Sequence, residues 1–331
     1  MNQRPWHLCA PDFAEITDAA RRIAPVCRIT PLLESRTLNR RLGCRLLLKA
    51  EPLQHTGSFK LRGAYNRMAQ LDAAEKRRGV VAYSSGNHAQ AVAHAAALLE
   101  VPAVIVMPSD APQVKLERTR AHGAEVVTYD RHREDRAAIA DRLVAERSLA
   151  LVPPYDDRRI VAGAGTLGRE IALQTRDAGV ALDALIVGCG GGGLTAGCAL
   201  AMEALAPAVA IVTVEPRDFD DTARSLRAGV RVSNAPEARS VCDALLVATP
   251  GELTFEVNRR LVTESLAVSD EEVAAAMRCA FEEFALVVEP GGCVALAAVL
   301  AGRYPVRGRS IAVTLTGGNV DMRWYAKVLA S

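Results

Sequence analysis

Only five of the forty basic side chains are lysines, at positions 49, 60, 76, 115 and 327. An arginine stays charged and makes a poor nucleophile, whereas a lysine taken out of water can lose its proton and condense with a carbonyl carbon. Lys60 stands between Phe59 and Leu61 in the stretch Glu51-Pro52-Leu53-Gln54-His55-Thr56-Gly57-Ser58-Phe59-Lys60-Leu61-Arg62-Gly63-Ala64. Apolar neighbours of this kind favour the neutral amine.

A second stretch suited to chemistry is Gly188-Cys189-Gly190-Gly191-Gly192-Gly193-Leu194, which follows the apolar run Ala184–Val187 and opens a helical pattern. Backbone N–H groups at a helix start, with no Cβ in the way, cradle a phosphate. The glycines at 188, 190 and 193 also satisfy G-x-G-x-x-G, and Glu215 ends the next strand where a ribose-binding acid would stand. A nicotinamide-dependent oxidoreductase is therefore an alternative at this stage. Against it, four or five βα elements precede the motif, and four consecutive glycines make a cup for one phosphate rather than a helix held close to a pyrophosphate.

Three further clusters end strands. Ser84-Ser85-Gly86-Asn87-His88-Ala89-Gln90 offers two hydroxyls, an amide and an imidazole, either as a carboxylate cradle or as an ordinary helix cap. Glu215-Pro216-Arg217-Asp218-Phe219-Asp220-Asp221 packs four acids that suit a hard divalent cation or a helix N-terminus. Thr314-Leu315-Thr316-Gly317-Gly318-Asn319 closes the last core strand with hydroxyls or forms a polar turn.

The elements that must position these groups alternate along the chain. A helix is expected over Phe13–Ile23, a hairpin-like pair over 32–35 and 44–51, and a helix over 58–71. From Gly79 strands (80–83, 103–107, 125–129, 149–152) alternate with helices (89–99, 111–122, 133–147). The pattern resumes after Pro153-Pro154 with helix 164–178, strand 184–187, helix 194–205, strand 209–214 and helix 221–228. Residues 230–250 read as irregular. Ser269, with Glu272 three residues on, forms a capping box at the start of a helix. Helix 292–302 and strand 310–315 finish the core. Such alternation implies an α/β fold of two open parallel-sheet domains. Residues 79–152 form the expected small βα domain, and 1–78 with 153–331 the large one, with the ligand site in the cleft between them.

Half of the residues are apolar and the net charge is only +2, which argues against a nucleic-acid partner. No apolar run has the length of a membrane span. The eight cysteines include no Cys-x-x-Cys pair and follow no secretory leader, so reduced thiols and a cytoplasmic location are expected.

Taken in order, Ser58-Phe59-Lys60, Ser84–His88, Gly190–Gly193, Glu215–Asp221 and Thr316–Asn319 resemble the fold-type II pyridoxal-phosphate enzymes, with the tryptophan synthase β-like fold. Within these, the serine/threonine dehydratase and serine racemase group is the most similar. The resemblance runs from about residue 13 to 322. It implies that Lys60 holds pyridoxal 5'-phosphate through a Schiff base, with Phe59 beside the ring and Asn87 on the ring oxygen. It implies a phosphate cup of Gly190, Gly191, Gly192, Gly193 and Leu194, and Thr316 at the pyridine nitrogen. Ser84, Ser85, Asn87 and His88 match the loop that binds the substrate carboxylate, and Ser85 the second-face acid/base serine of racemases. Glu215, Asp221 and the carbonyl of Phe219 match a site for Mg²⁺, Ca²⁺ or Mn²⁺.

The implied activity is α,β-elimination from L-threonine or L-serine to a 2-oxo acid and ammonia, by a homodimer. 3-Hydroxyaspartate dehydration and serine racemisation are the alternatives. Arg131, His132 and Arg133 are a hint toward an acidic substrate. Two departures are Asp243-Ala244 in place of Asp-Gly and the variant turn Glu289-Pro290-Gly291-Gly292. The chain ends soon after Asn319, so the regulatory domain of biosynthetic threonine dehydratases is not expected.

Overall fold

A computed structural model describes residues 9–84, 86–111, 113–130 and 133–330. Ten strands occur among them: β1 (Leu32–Leu33), β2 (Arg45–Ala50), β3 (Val80–Tyr83), β4 (Ala103–Pro108), β5 (Glu125–Tyr129), β6 (Ala150–Leu151), β7 (Ala184–Gly188), β8 (Ala210–Pro216), β9 (Val262–Val268) and β10 (Ser310–Leu315). They form two sheets, ordered β1-β2-β10-β7-β8-β9 and β5-β4-β3-β6. All pairings are parallel except that of β1 with β2.

The central strands are apolar runs because helices cover both faces of the large sheet. Leu46, Leu48, Ile186, Val212 and Val313 join one core with helices Asp270–Phe284 and Pro290–Leu300. Leu47, Leu185, Val187 and Ala312 point the other way, into a core with helices Arg158–Asp177 and Gly193–Leu205. This alternation is the period-two pleat read from β2, β7 and β10.

The order of the strands brings the candidate segments together. β10 lies between β2 and β7. The segment bearing Lys60 leaves the carboxyl end of β2, the glycine turn leaves β7, and Thr316 follows β10. All three therefore meet at one edge of the sheet, where open parallel sheets bind ligands. An isolated bridge between Ser58 and Gly317, and a 3.1 Å bond from the Phe59 N–H to the Thr316 carbonyl, tie two of them directly.

A buried ion cluster braces the same region. Arg62 forks onto Glu51, with its Nε 2.9 Å from Oε2, and onto Glu170, with its Nη1 2.6 Å from Oε1. Lys49 donates to Glu170 at 2.6 Å and to the Thr30 carbonyl at 2.6 Å. Its amine is fully engaged and has no place in the candidate site.

Several elements differ from expectation. The 32–51 region is not a simple hairpin: Ser35 caps helix Arg36–Leu42, its hydroxyl accepting the Leu38 N–H, before β2 begins. Helix 58–71 is shorter, Lys60–Ala69, and a further helix, Ala73–Arg78, follows under a capping box on Asp72. Helix 164–178 starts earlier, at Arg158, because Asp157 accepts the N–H groups of Arg159 and Ile160. Helix Glu252–Leu261, strand β9 and helix Met322–Ala330 were not foreseen. The capping box on Ser269 is present as read. Among the described residues no helix is long and apolar enough to cross a membrane, and Cys27, Cys44, Cys189, Cys198, Cys242, Cys279 and Cys293 are free thiols.

Candidate active site

The pocket is built from both sheets. Phe59, Lys60, Ser84, Asn87, His88, all of Gly188–Thr195 and Thr316 line it together. Of the residues the sequence put forward for cofactor or substrate, Ser85 lies outside the described residues, as do Arg131 and His132.

Lys60 opens helix Lys60–Ala69, and its Nζ donates to the Pro154 carbonyl at 2.7 Å. Burial pushes its amine down to about 8, against an upward pull from the Glu289 carboxylate. The neutral-leaning amine expected from the sequence thus has its physical cause in this cavity. The Phe59 ring centroid is 5.2 Å from Nζ.

Tyr155, next to Pro154 along the chain, lies over the glycine turn. A Cβ on Gly191 would collide with the Tyr155 ring. Gly192 has φ +88°, the left-handed region that favours glycine, and a Cβ there would meet Asn258 Nδ2 at 2.7 Å. The run of glycines is therefore required by contacts on two sides. Helix Gly193–Leu205 begins here, and the first N–H groups of a helix have no partner within it. No backbone acceptor among the described residues takes the N–H of Gly190, Gly191, Gly192 or Leu194. A row of free N–H groups at a helix start, facing a cavity with a buried amine, fits a phosphate-bearing aldehyde.

Asn87 opens helix Asn87–Leu99 and is nearly buried. Its Nδ2 donates to Glu289 in a short bond, and its Oδ1 accepts Asn319 Nδ2 at 2.7 Å. Glu289 lines the pocket, a role the sequence did not reveal, since there it stands only as part of a turn. Its place ahead of Pro290, at the N-terminal cap position of helix Pro290–Leu300 but with a carboxylate that bonds Asn87 rather than the helix end, was the available signal. His88 is buried, and its Nε2 lies 2.8 Å from the Val152 carbonyl, so Nε2 carries the proton. Burial and the nearby Lys60 push its pKa down to about 3, leaving a neutral ring.

Two more residues were not foreseen. Arg136 lines the pocket from the start of helix Arg136–Arg147, with its Cζ 5.7 Å from the Tyr83 ring centroid. Tyr83 itself lines the same wall. Arg133, by contrast, is solvent-exposed and pairs with Asp130 at 3.7 Å.

The acidic cluster lies apart from the pocket wall. Glu215 is buried, and its two oxygens accept the N–H groups of Thr222 and Ala223 at 2.9 Å each. Burial and the neighbouring Asp221 push its carboxyl up to about 8. Asp221 is raised to about 6, chiefly by burial; its Oδ1 accepts Asn234 Nδ2 at 2.6 Å, while Oδ2 has no hydrogen-bond partner. Phe219 ends the short 3₁₀ turn between them. Among the described residues no group of three His, Cys, Asp or Glu side chains is placed to hold a metal ion. Glu215 is not among the residues lining the pocket, so it offers no ribose-binding acid there for a nicotinamide dinucleotide.

Comparison with known proteins decides between these chemistries. The pyridoxal-phosphate dependent enzyme family matches residues 23–317. The chain belongs to this family. Among curated relatives of this pyridoxal-phosphate enzyme, an L-threo-3-hydroxyaspartate ammonia-lyase from Saccharomyces cerevisiae is 41% identical over 324 residues, 98% of each chain. Among solved structures, a T.th. threonine deaminase superposes with a TM-score of 0.88 at 44% identity, covering 94% of this chain and 99% of that one. A maize serine racemase gives a TM-score of 0.90 at 35% identity, covering 97% of each. The parallel-sheet α/β architecture is thus that of fold-type II pyridoxal-phosphate enzymes.

Proposed function

We propose that this pyridoxal-phosphate enzyme is an ammonia-lyase for small β-hydroxy α-amino acids, releasing a 2-oxo acid and ammonia. L-threo-3-hydroxyaspartate is the substrate we favour over threonine and serine. The observation that carries the activity is that Lys60, its amine pushed toward neutrality, shares one pocket with the free N–H groups of the glycine turn. The observation that favours the acidic substrate is Arg136 on the pocket wall, because a guanidinium matches a second carboxylate in a two-toothed fashion. The names of the hydroxyaspartate ammonia-lyase and the threonine deaminase support this class of reaction, and that of the serine racemase supports racemisation as the alternative.

In this reading Lys60 is the covalent anchor, and Gly190, Gly191, Gly192, Gly193 and Leu194 hold the phosphate. Thr316 would meet the ring nitrogen, Asn87 the ring oxygen and Phe59 the ring itself, since all three line the pocket. Pyridoxal phosphate, when bound, supplies the electron sink that makes the α-carbon of an amino acid acidic. Lys60 Nζ is then the base that takes the α-proton. Ser84, Asn87 and the start of helix Asn87–Leu99 receive the α-carboxylate, where the positive end of the helix dipole favours an anion. Neutral His88 fixes that segment through Val152 rather than adding a charge of its own. Ser85, whose position is outside the described residues, is proposed as the second acid/base group on the strength of the family resemblance alone. Phe59 and Tyr155 exclude water from the amine.

We further propose two domains, 79–152 and the remainder, with the site in the cleft between them, a homodimer, and a divalent cation at Glu215, Asp221 and the Phe219 carbonyl. The unpartnered Asp221 oxygen and two mutually repelling carboxylates fit such a cation, with waters completing its shell.

Ammonia release should be measured across 3-hydroxyaspartate, threonine and serine, with chiral analysis of unreacted substrate. The expected order places 3-hydroxyaspartate first. Release from none of them would end the proposal, and D-enantiomer accumulation without ammonia would replace it with racemisation.

A further inference from the structure

Among the described residues, helix Glu252–Leu261 contributes none to the pocket wall, yet it grips the glycine turn from behind. Thr254 Oγ1 donates to the Gly191 carbonyl at 2.6 Å, and the Gly251 N–H reaches the same oxygen at 3.3 Å. Asn258 Nδ2 lies 3.4 Å from the Gly192 carbonyl. Thr254 and Asn258 are both buried. In a trans peptide the carbonyl and the following N–H point to opposite sides. Holding the Gly191 carbonyl against the helix therefore turns the Gly192 N–H away from it, toward the cavity that Gly191 and Gly192 line.

The end of that helix is itself held from a distance. Its cap position is Gly251, which has no side chain to offer. The carboxylate of Asp156 accepts the N–H groups of Glu252 at 2.7 Å, Leu253 at 2.9 Å and Thr254 at 3.2 Å. A Cβ on Gly251 would sit 2.5 Å from Asp156 Oδ1 and 2.6 Å from Thr254 Oγ1, so the cap position is emptied to admit this carboxylate. Asp156 adjoins Tyr155, whose ring rests on Gly191, and Pro154, whose carbonyl accepts Lys60 Nζ. One short strap thus touches the amine, covers the glycine turn and docks the helix that sets the turn's peptide planes.

We infer that Asp156 and Thr254 are positioning residues for anion binding by the glycine turn. They orient the Gly191–Gly192 peptide without touching the ligand, an assignment that rests on reading the pocket as a pyridoxal-phosphate site. Losing one such bond should weaken phosphate affinity by roughly five- to tenfold, the effect of one ordinary hydrogen bond.

The test is the affinity of the apoprotein for pyridoxal phosphate, by titration, with inorganic phosphate as competitor. The ³¹P resonance of the bound cofactor is recorded alongside. Thr254→Val should weaken binding about five- to tenfold and shift the ³¹P line, while Thr254→Ser, which keeps the hydroxyl, restores both. Asp156→Ala should act in the same direction, and Asp156→Asn, which keeps one acceptor, less. Asp72→Ala, which uncaps the exposed helix Ala73–Arg78, controls for general destabilisation and should leave affinity and resonance unchanged. Should Asp156→Ala not fold, the Thr254 pair decides the matter. If Thr254→Val binds as wild type with an unmoved ³¹P line, or if Asp72→Ala weakens binding equally, the inference is overturned while the pocket reading stands. If the wild-type apoprotein takes up no pyridoxal phosphate, the pocket reading itself fails.

Discussion

Lys60 Nζ donates to the carbonyl of Pro154 at 2.7 Å, so the amine is aimed across the cavity at the strap that covers the glycine turn. A lysine at a protein surface does not hold one direction. Here burial and a fixed acceptor select it, and the same burial lowers its proton affinity. Lys60→Ala should abolish ammonia release by at least about a thousandfold, the scale on which a covalent anchor and its proton transfer act together. A residual rate within tenfold of wild type would contradict its role.

The lowered pKa of Lys60 gives a pH dependence of definite sign. Between about 8 and the ordinary lysine value of 10.5, the folded apoprotein binds fewer protons at this group than the unfolded chain. This group's contribution to stability therefore rises with pH across that window. Below about 8 the amine is mostly protonated and unable to attack a carbonyl. Stopped-flow uptake of pyridoxal phosphate by the apoprotein should accelerate up to roughly tenfold per pH unit below 8 and level off above it. A rate that falls as the pH rises from 6 to 8 would exclude this role for the amine.

Arg136 separates the candidate substrates. A charge-assisted bond to a side-chain carboxylate is worth about 1.5–3 kcal/mol. Arg136→Ala should raise KM for 3-hydroxyaspartate by roughly ten- to a hundredfold and change that for threonine or serine by less than about threefold. Equal losses on all three substrates would remove the specificity role. In the sequence, residues 131–133 are the natural place to look for this charge. Spacing alone could not indicate that the cation facing the cavity comes from the first turn of the following helix.

Other parts of the site were legible for identifiable reasons. Lys60, the glycine turn and Thr316 each follow an apolar strand, and parallel sheets bind ligands at that edge. Glu289 stayed hidden because a carboxylate before Pro290 reads locally as a helix cap. Its contact with Asn87 depends on two distant segments meeting. Helix Glu252–Leu261 was hidden because its cap is supplied by Asp156 from elsewhere in the chain, while Gly251 at the cap position gives no local signal. β9 was hidden because its exposed half, Thr263 and Glu264, breaks the apolar run.

The ion cluster beneath Lys60 predicts a stability effect. Arg62 is wholly buried and bonds Glu51 and Glu170. Arg62→Ala leaves the buried Glu51 carboxylate without its guanidinium, while Glu170 keeps only Lys49, which should cost about 3–5 kcal/mol in denaturant unfolding. A loss under about 1 kcal/mol would show that the cluster is not fully ionised.

The cation proposal is tested without turnover. Mg²⁺, Mn²⁺ or Ca²⁺ at millimolar concentration should raise the Tm by roughly 2–5 °C through binding to the folded state alone. Asp221→Asn should remove the increase. No increase with any of the three ions would leave Glu215 as a cap of helix Asp221–Ala228 and Asp221 as the partner of Asn234 only.

The most direct measurement is borohydride reduction of the cofactor-loaded protein followed by peptide mass spectrometry. One reduced pyridoxyl-phosphate adduct is predicted, on Lys60, and none on Lys49, Lys76, Lys115 or Lys327. An adduct on any of those four in place of Lys60, or no adduct on a protein that binds the cofactor, would contradict the assignment of Lys60 as the anchor.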